Sequence, residues 1–192
     1  MSDTADLASA AASDRLVESA LARLSVISAR IDCDPALADT AAFCAAYGVA
    51  PEDSANTILV IGKADPPLHI ACVVLATMRL DVNRTVRRRL GVKKASFAGT
   101  EAAREITRMA IGGVTAFGLP KGIPVWIDAA VMERESVVLG GGSRSWKIRC
   151  APSELRKIPG AEIVEGLATP AEPSRAVADA LASGESEAHR DP

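Results

Sequence analysis

The residues best suited to chemistry are two glycine-rich runs, Ile111–Pro120 (IGGVTAFGLP) and Gly140-Gly141-Gly142-Ser143-Arg144. Paired glycines free the backbone from the usual steric limits and let it approach a ligand closely. Successive N–H groups in such a turn can converge on an anion or a carbonyl oxygen. The competing reading is that both runs are tight connections between strands, and on these residues alone the two readings stand level. If the runs bind, the chemistry they suit is ester hydrolysis. A developing oxyanion is stabilised by preorganised N–H donors, each worth about 3–4 kcal/mol. Gly112, Gly113 and Gly118 are the expected donors. A base is then needed from elsewhere, unless the substrate carries one.

Side chains that could supply more are few. The chain has two histidines. His69 sits in an apolar run, HIACVVLA, and reads as a packing residue; His189 lies near the C-terminus. GxSxG, HExxH, Walker and GxGxxG patterns are absent. Asp128 stands in an otherwise apolar run, WIDAAV. A buried carboxylate needs a partner, and Arg144 is one candidate, so Asp128 is either half of an ion pair or a site residue. Cys33, Cys44, Cys72 and Cys150 show no CxxC and no metal spacing, so neither a metal nor a cofactor is expected. Cys72 and Cys150 read as core, reduced thiols. Arg84, Arg87 and Arg88 share a helical face by i, i+3, i+4 spacing. That face is either simply solvated or a contact for a phosphate backbone.

These groups must be positioned by one domain. The chain has 192 residues, 48% hydrophobic, with a mean hydropathy of +0.16 and only 3% aromatics. Aliphatic residues therefore build a sizeable core. The net charge of −2 leaves no overall cationic field, so any RNA contact must be a local patch. The N-terminal residues lack the basic and apolar regions of a signal peptide, and no apolar run reaches spanning length, so a cytoplasmic location is expected.

Residues 1–12 are expected to lack regular structure, with a helix over Asp14–Leu24 and a strand over Val26–Asp32. Asp34-Pro35 starts a helix running to Gly48. Thr57–Ile61 and His69–Ala76 read as buried strands joined in a hairpin. Asp81 caps a helix over Val82–Leu90, and Lys93–Ala98 is a short strand. Thr100 caps the next helix, with Glu101 in its first turn. Pro124–Val131 and Ser136–Leu139 read as strands, Trp146–Cys150 as an outer strand, Pro152–Lys157 as a short helix and Ala161–Val164 as a last strand. Thr169–Pro192 reads as a mobile tail. The order is not a regular βαβ alternation, so a mixed-sheet α/β or α+β domain over residues 13–168 is expected.

The blocks SANTILVI, RLDVNRTVRRRLGVKKASFA, IGGVTAFGLP, VWIDAAVM, VVLGGGSRSWKI and GAEIVEGLA, in this order, resemble the YbaK/EbsC family. Its members are freestanding relatives of the editing insertion domain of bacterial prolyl-tRNA synthetase. The resemblance covers roughly Asp34–Leu167. It implies a mixed, barrel-like β-sheet with flanking helices. It also implies trans-editing, the hydrolysis of the ester bond of a mischarged aminoacyl-tRNA. In the family a GxxxP loop binds the aminoacyl carbonyl end through its backbone. Gly112 to Ala116 match it here, with Ala116 in place of the proline. A lysine at the start of the first buried strand handles the terminal adenosine's phosphate in active editors. The matching position here is Asn56, while Lys63 lies at the other end of that strand. In active members the terminal 2′-hydroxyl of the tRNA helps to position or activate the attacking water.

The resemblance thus implies that Gly112, Gly113 and Thr115 shape the carbonyl site, with Asn56 and Asp128 nearby. Ala116, Phe117, Gly118, Gly141, Gly142, Ser143 and Arg144 form the substrate-binding walls, and Arg84, Arg87 and Arg88 touch the tRNA. The implied partner is the acceptor end of a mischarged tRNA, with no membrane and no metal; association into a homodimer is left open. The Asn56 and Ala116 departures also admit a catalytically impaired homologue that binds aminoacyl-tRNA or a small adenylate-like ligand. A small-molecule esterase or amidase is a third reading.

Overall fold

The computed structural model describes residues 2–171, with side chains from Leu7 onward. Of the expected tail, Thr169 and Pro170 instead belong to a paired strand, and residues 172–192 lie outside the described residues. Helix α1 spans Ser2–Arg23, so the segment expected to be irregular from Ser2 onward instead extends the helix. Alanine-rich sequence favours this. The stripe Leu16, Val17, Leu21 and Leu24 packs on the main core.

Among the described residues ten strands form three sheets. The largest has the order β5-β2-β3-β6-β9. Its strands are β2 (Ala55–Gly62), β3 (Leu68–Leu75), β5 (Ala95–Phe97), β6 (Val125–Asp128) and β9 (Ala161–Val164). The expected hairpin is present: β2 and β3 pair antiparallel from Ala55↔Leu75 to Gly62↔Leu68. β6 then joins β3 in parallel, and β9 joins β6 in parallel. A three-stranded antiparallel sheet has the order β1-β8-β7, from Ser28–Asp32, Trp146–Cys150 and Val137–Gly140. A small sheet pairs β4 (Met78–Leu80) with β10 (Ala168–Pro170). The two larger sheets meet at the parallel bridge Ser54↔Val138 and enclose a shared core. This is the mixed fold with flanking helices that was expected.

Side-chain alternation divides the large sheet. Ala71, Val73 and Leu75 of β3 face the shared core with Phe117, Leu139 and Ile148. Ile70, Cys72 and Val74 face the other way, against Val82, Val86 and Trp126. The segment carrying Val82 and Val86 is a π-helical turn, Val82–Val86, followed by the short helix α3, Arg87–Arg89. Asp81 caps it by accepting from the Arg84 N–H.

Several expectations are corrected. The helix expected from Asp34 to Gly48 is a 3₁₀ turn, Pro35–Leu37, then α2, Thr40–Tyr47, with a break at Ala38-Asp39. Gly99, not Thr100, occupies the N-cap of α4, Thr100–Thr107. Asp128 ends β6 and starts α5, Ala129–Met132, so Ala129–Val131 is helical rather than extended. Consequently β6 and β7 fall in different sheets. Trp146–Cys150 is the central strand of its sheet, not an outer one. Both of its edges are paired, and a helix covers part of its second face. Among the described residues no helix is long and apolar enough to cross a membrane.

Candidate active site

A cavity of about 210 Å³ opens between β2, α2, β7 and the loop after α4. Phe43, Leu59, Val138 and Leu139 give it an apolar floor. Its polar edge is made by Thr40, Asn56, Thr57, Gly112 and Lys147. The Asn56 Oδ1 accepts a hydrogen bond from the Thr40 hydroxyl at 2.8 Å. The Thr57 hydroxyl is buried and has no partner among the described residues, so it is an unused polar group in the cavity wall.

Lys147 is the residue that sequence reading missed. It is 6% exposed, and its ammonium donates to the carbonyl oxygens of Ala38 at 2.7 Å and Gly112 at 2.6 Å. The Phe43 ring lies 5.4 Å from the Nζ. Burial lowers the ammonium's proton affinity below that of an ordinary lysine. No carboxylate pairs with it among the described residues. In WKIRC, strict alternation puts Lys147 with Arg149 on a solvent face. Arg149 is exposed, but at Lys147 that face is covered by the cluster of Ala38, Phe43, Cys44 and Val138.

Arg144 works in parallel, from the turn between β7 and β8. It donates to Pro35 O at 2.8 Å, to Ile111 O at 3.1 Å and to both carboxylate oxygens of Asp39, at 2.9 and 3.2 Å. These bonds hold the Asp39 carboxyl below its usual range. Two cations three residues apart therefore tie residues 35–39 to residues 111–112. Residues 111–112 line the cavity, and residues 35–39 lead into Thr40, which also lines it. Gly112 has φ +87°, and a Cβ there would come within 2.5 Å of the Arg144 Nη1. It is the positive φ that calls for glycine there.

The remaining glycines serve a different end. The Gly113 N–H donates to Ala110 O at 2.8 Å, and its carbonyl accepts from Gly142 N at 2.7 Å. A Cβ at Gly113 would collide with the Ser143 carbonyl, and one at Gly140 with the Gly113 carbonyl. The two glycine runs thus pack backbone to backbone. Gly113 is not free as an oxyanion donor, and Gly118 lies under Leu16 of α1. By contrast, no hydrogen bond engages the amides of Gly112 and Val114 among the described residues, and both residues border the cavity.

Of the expected site residues, the structure brings Gly112 and Asn56 to the cavity. Thr115, Ala116 and Phe117 are buried in the protein, and Thr115 N donates to the Met109 sulfur at 3.4 Å. Gly141 packs on the Trp146 indole, and Gly142 on Val17 and Ser13. Ser143 is buried and accepts from Ser145 N. Asp128 does not pair with Arg144. Its carboxylate accepts from Ala130 N at 2.9 Å and Ala168 N at 2.8 Å, which caps α5 and anchors β10. It does not line the cavity. Arg84, Arg87 and Arg88 are exposed. Their segment packs, through Val82 and Val86, on the sheet face opposite the shared core. Cys72 and Cys150 are buried thiols, pushed up to about 12 by burial. Among the described residues no cluster of three His, Cys, Asp or Glu side chains could hold a metal ion.

The family model of the aminoacyl-tRNA editing domain matches residues 34–158, which include the tethered segments and the cavity. Solved structures share the fold. One is a candidate trans-editing enzyme for prolyl tRNA synthetase, 23% identical, with a TM-score of 0.69, covering 80% of this chain and 95% of that one. A second, of a hypothetical protein, is 22% identical with a TM-score of 0.72, covering 80% of this chain and 99% of that one. A third is a candidate signal transduction protein from Marinobacter aquaeolei, 16% identical with a TM-score of 0.56. The match covers 92% of this chain and 37% of that longer one.

Proposed function

Because the chain belongs to the aminoacyl-tRNA editing domain family, we propose that it hydrolyses the ester bond of mischarged aminoacyl-tRNA in trans, in the cytoplasm. One observation carries this reading. The Gly112 carbonyl is pinned by Lys147, while the amides of Gly112 and Val114 remain unengaged at the cavity edge among the described residues. A carbonyl seated there would meet preorganised N–H donors as its oxygen becomes an oxyanion, a stabilisation of about 3–4 kcal/mol per donor.

In this mechanism water attacks the ester carbon, a C–O bond forms, and the tetrahedral oxyanion rests on the loop amides. Collapse breaks the bond to the ribose oxygen, which takes a proton and leaves as the free tRNA hydroxyl. Among the described residues no His, Asp, Glu or Cys lines the cavity. The proton is therefore relayed by the substrate's own neighbouring hydroxyl or by water, and the protein contributes orientation and charge stabilisation. The apolar floor and the volume of about 210 Å³ suit a small or medium amino-acid side chain.

The test is release of free amino acid from a panel of mischarged tRNAs. Hydrolysis of at least one member above background supports the reading. A second reading, binding without turnover, draws on Asn56, a neutral residue tied to Thr40 where active relatives are expected to carry lysine. Saturable binding of a non-hydrolysable aminoacyl-adenosine, with the whole panel left intact, would establish it instead.

A further inference from the structure

A second, larger cavity lies beside the first. Its volume is about 770 Å³, and it runs between α1 and α4. Ile111 lines both cavities, so the two lie on either side of one residue. Arg104, Arg108 and Arg144 line the groove, against a single carboxylate, Glu105. Arg144 is committed to Asp39. Arg104 and Arg108 are exposed and form no ion pair among the described residues. The groove also offers exposed apolar surface at Leu7 and Ile111, 71% and 39% exposed. Its floor is fixed, because the Ser13 hydroxyl donates to the Arg108 carbonyl at 2.8 Å. Arg108 closes α4 in the left-handed region, at φ +58°, which costs a non-glycine residue strain.

We propose that this groove is the track for the single-stranded 3′ end of the tRNA, with Arg104 and Arg108 taking backbone phosphates and the apolar rim receiving bases. The proposal rests on the editing reading for the identity of the RNA. Charge and position argue for it. Guanidinium groups suit phosphate oxygens, and single strands combine a cationic track with surfaces on which bases lie. A strand leaving the first cavity over Ile111 meets the groove next. The arginines of Val82–Arg89 sit over the opposite face of the large sheet and line neither cavity.

The experiment measures binding of a fluorescent single-stranded RNA ending in CCA across a salt series. It compares the unaltered protein with the double variants Arg104→Glu/Arg108→Glu and Arg84→Glu/Arg87→Glu. Arg104→Gln/Arg108→Gln serves as a milder pair, and thermal melting confirms folding. The groove variants should weaken binding at least tenfold and reduce the log–log salt slope by about 1.4, at about 0.7 per lost phosphate contact. The Arg84/Arg87 variant should bind within about twofold of the unaltered protein. The proposal is overturned if the groove variants keep full affinity, if the Arg84/Arg87 variant loses as much, or if the unaltered protein binds no RNA at low salt. RNA binding that depends on the groove, with no deacylation of any tRNA, would sink the hydrolytic reading and leave the groove standing.

Discussion

Lys147 donates from its ammonium to the Gly112 carbonyl at 2.6 Å, and so couples the central strand of the three-stranded sheet to the loop that borders the cavity. The same ammonium reaches Ala38 O. The tie is internal, buried and made by a charge with no carboxylate partner among the described residues. Lys147→Met keeps the aliphatic stem but leaves two carbonyls without their donor. We expect a loss of about 2–4 kcal/mol, taking about 1–2 for each acceptor deprived of a charged partner. Turnover at 25 °C should fall at least tenfold as the loop loses its fixed orientation. Urea unfolding and single-turnover deacylation check the two effects separately.

Asn56 borders the same cavity as Lys147. If the site had simply lost a lysine, Asn56→Lys would restore catalysis. The structure argues the opposite. A lysine there breaks the Thr40–Asn56 bond and adds a second cation to a cavity edge that already has one. Deacylation by Asn56→Lys is therefore expected to fall. A clear gain in the rate of amino-acid release would defeat this argument.

Asp128 caps α5 and holds Ala168 N. Asp128→Ala removes both acceptors and should cost about 2–4 kcal/mol, combining a lost cap with a buried unsatisfied donor. Asp128→Asn keeps one acceptor oxygen and should cost less. Because the carboxylate lies away from the cavity, kcat per folded molecule should stay within a few-fold in Asp128→Asn. A collapse of kcat without a shift in the melting temperature would return Asp128 to the site.

Alkaline pH should unfold the protein through its thiols. Cys72 and Cys150 hold their protons up to about 12, against 9.0 for an ordinary thiol. Between these values the unfolded chain binds fewer protons than the folded one, so stability falls as pH rises. The slope is about 1.4 kcal/mol per pH unit for each thiol. Lys147 acts in the opposite sense, since its proton affinity is lowered on folding. Its contribution rises as pH approaches 10.5 and partly opposes the thiols there. Urea midpoints at pH 8, 9, 10 and 11 should fall progressively above 9, and less steeply in Cys72→Ala.

Much of the frame was legible before any coordinates. The β2–β3 hairpin follows from two continuous apolar runs. Gly48 ends α2 at φ +64°, as a glycine after a helix suggests. Asp81 and Asp34 cap the turns that follow them. Gly112 and Asn56, which the family resemblance singles out, both line the cavity. Asp128 could be recognised as a carboxylate in need of partners, but the partners are backbone amides, one of them forty residues downstream. No pattern of side chains announces a backbone donor.

What the sequence determined by itself is local: apolar periodicity, turn and cap chemistry, and the positions where only glycine is tolerated. What tertiary structure decided is which glycine amides face a cavity and which are consumed between loops. It also decided that Lys147 is interior. Alternation assigns a strand residue to a face, but whether that face meets water depends on what packs over it. Here Phe43, about a hundred residues earlier in the chain, covers the ammonium. Likewise, arginines that look alike in sequence acquire different meanings. Those of Val82–Arg89 lie over the far side of the large sheet, and Arg104 and Arg108 border a groove beside the cavity. Distances through space between residues remote in the chain are set by packing, and the candidate site is made of such distances.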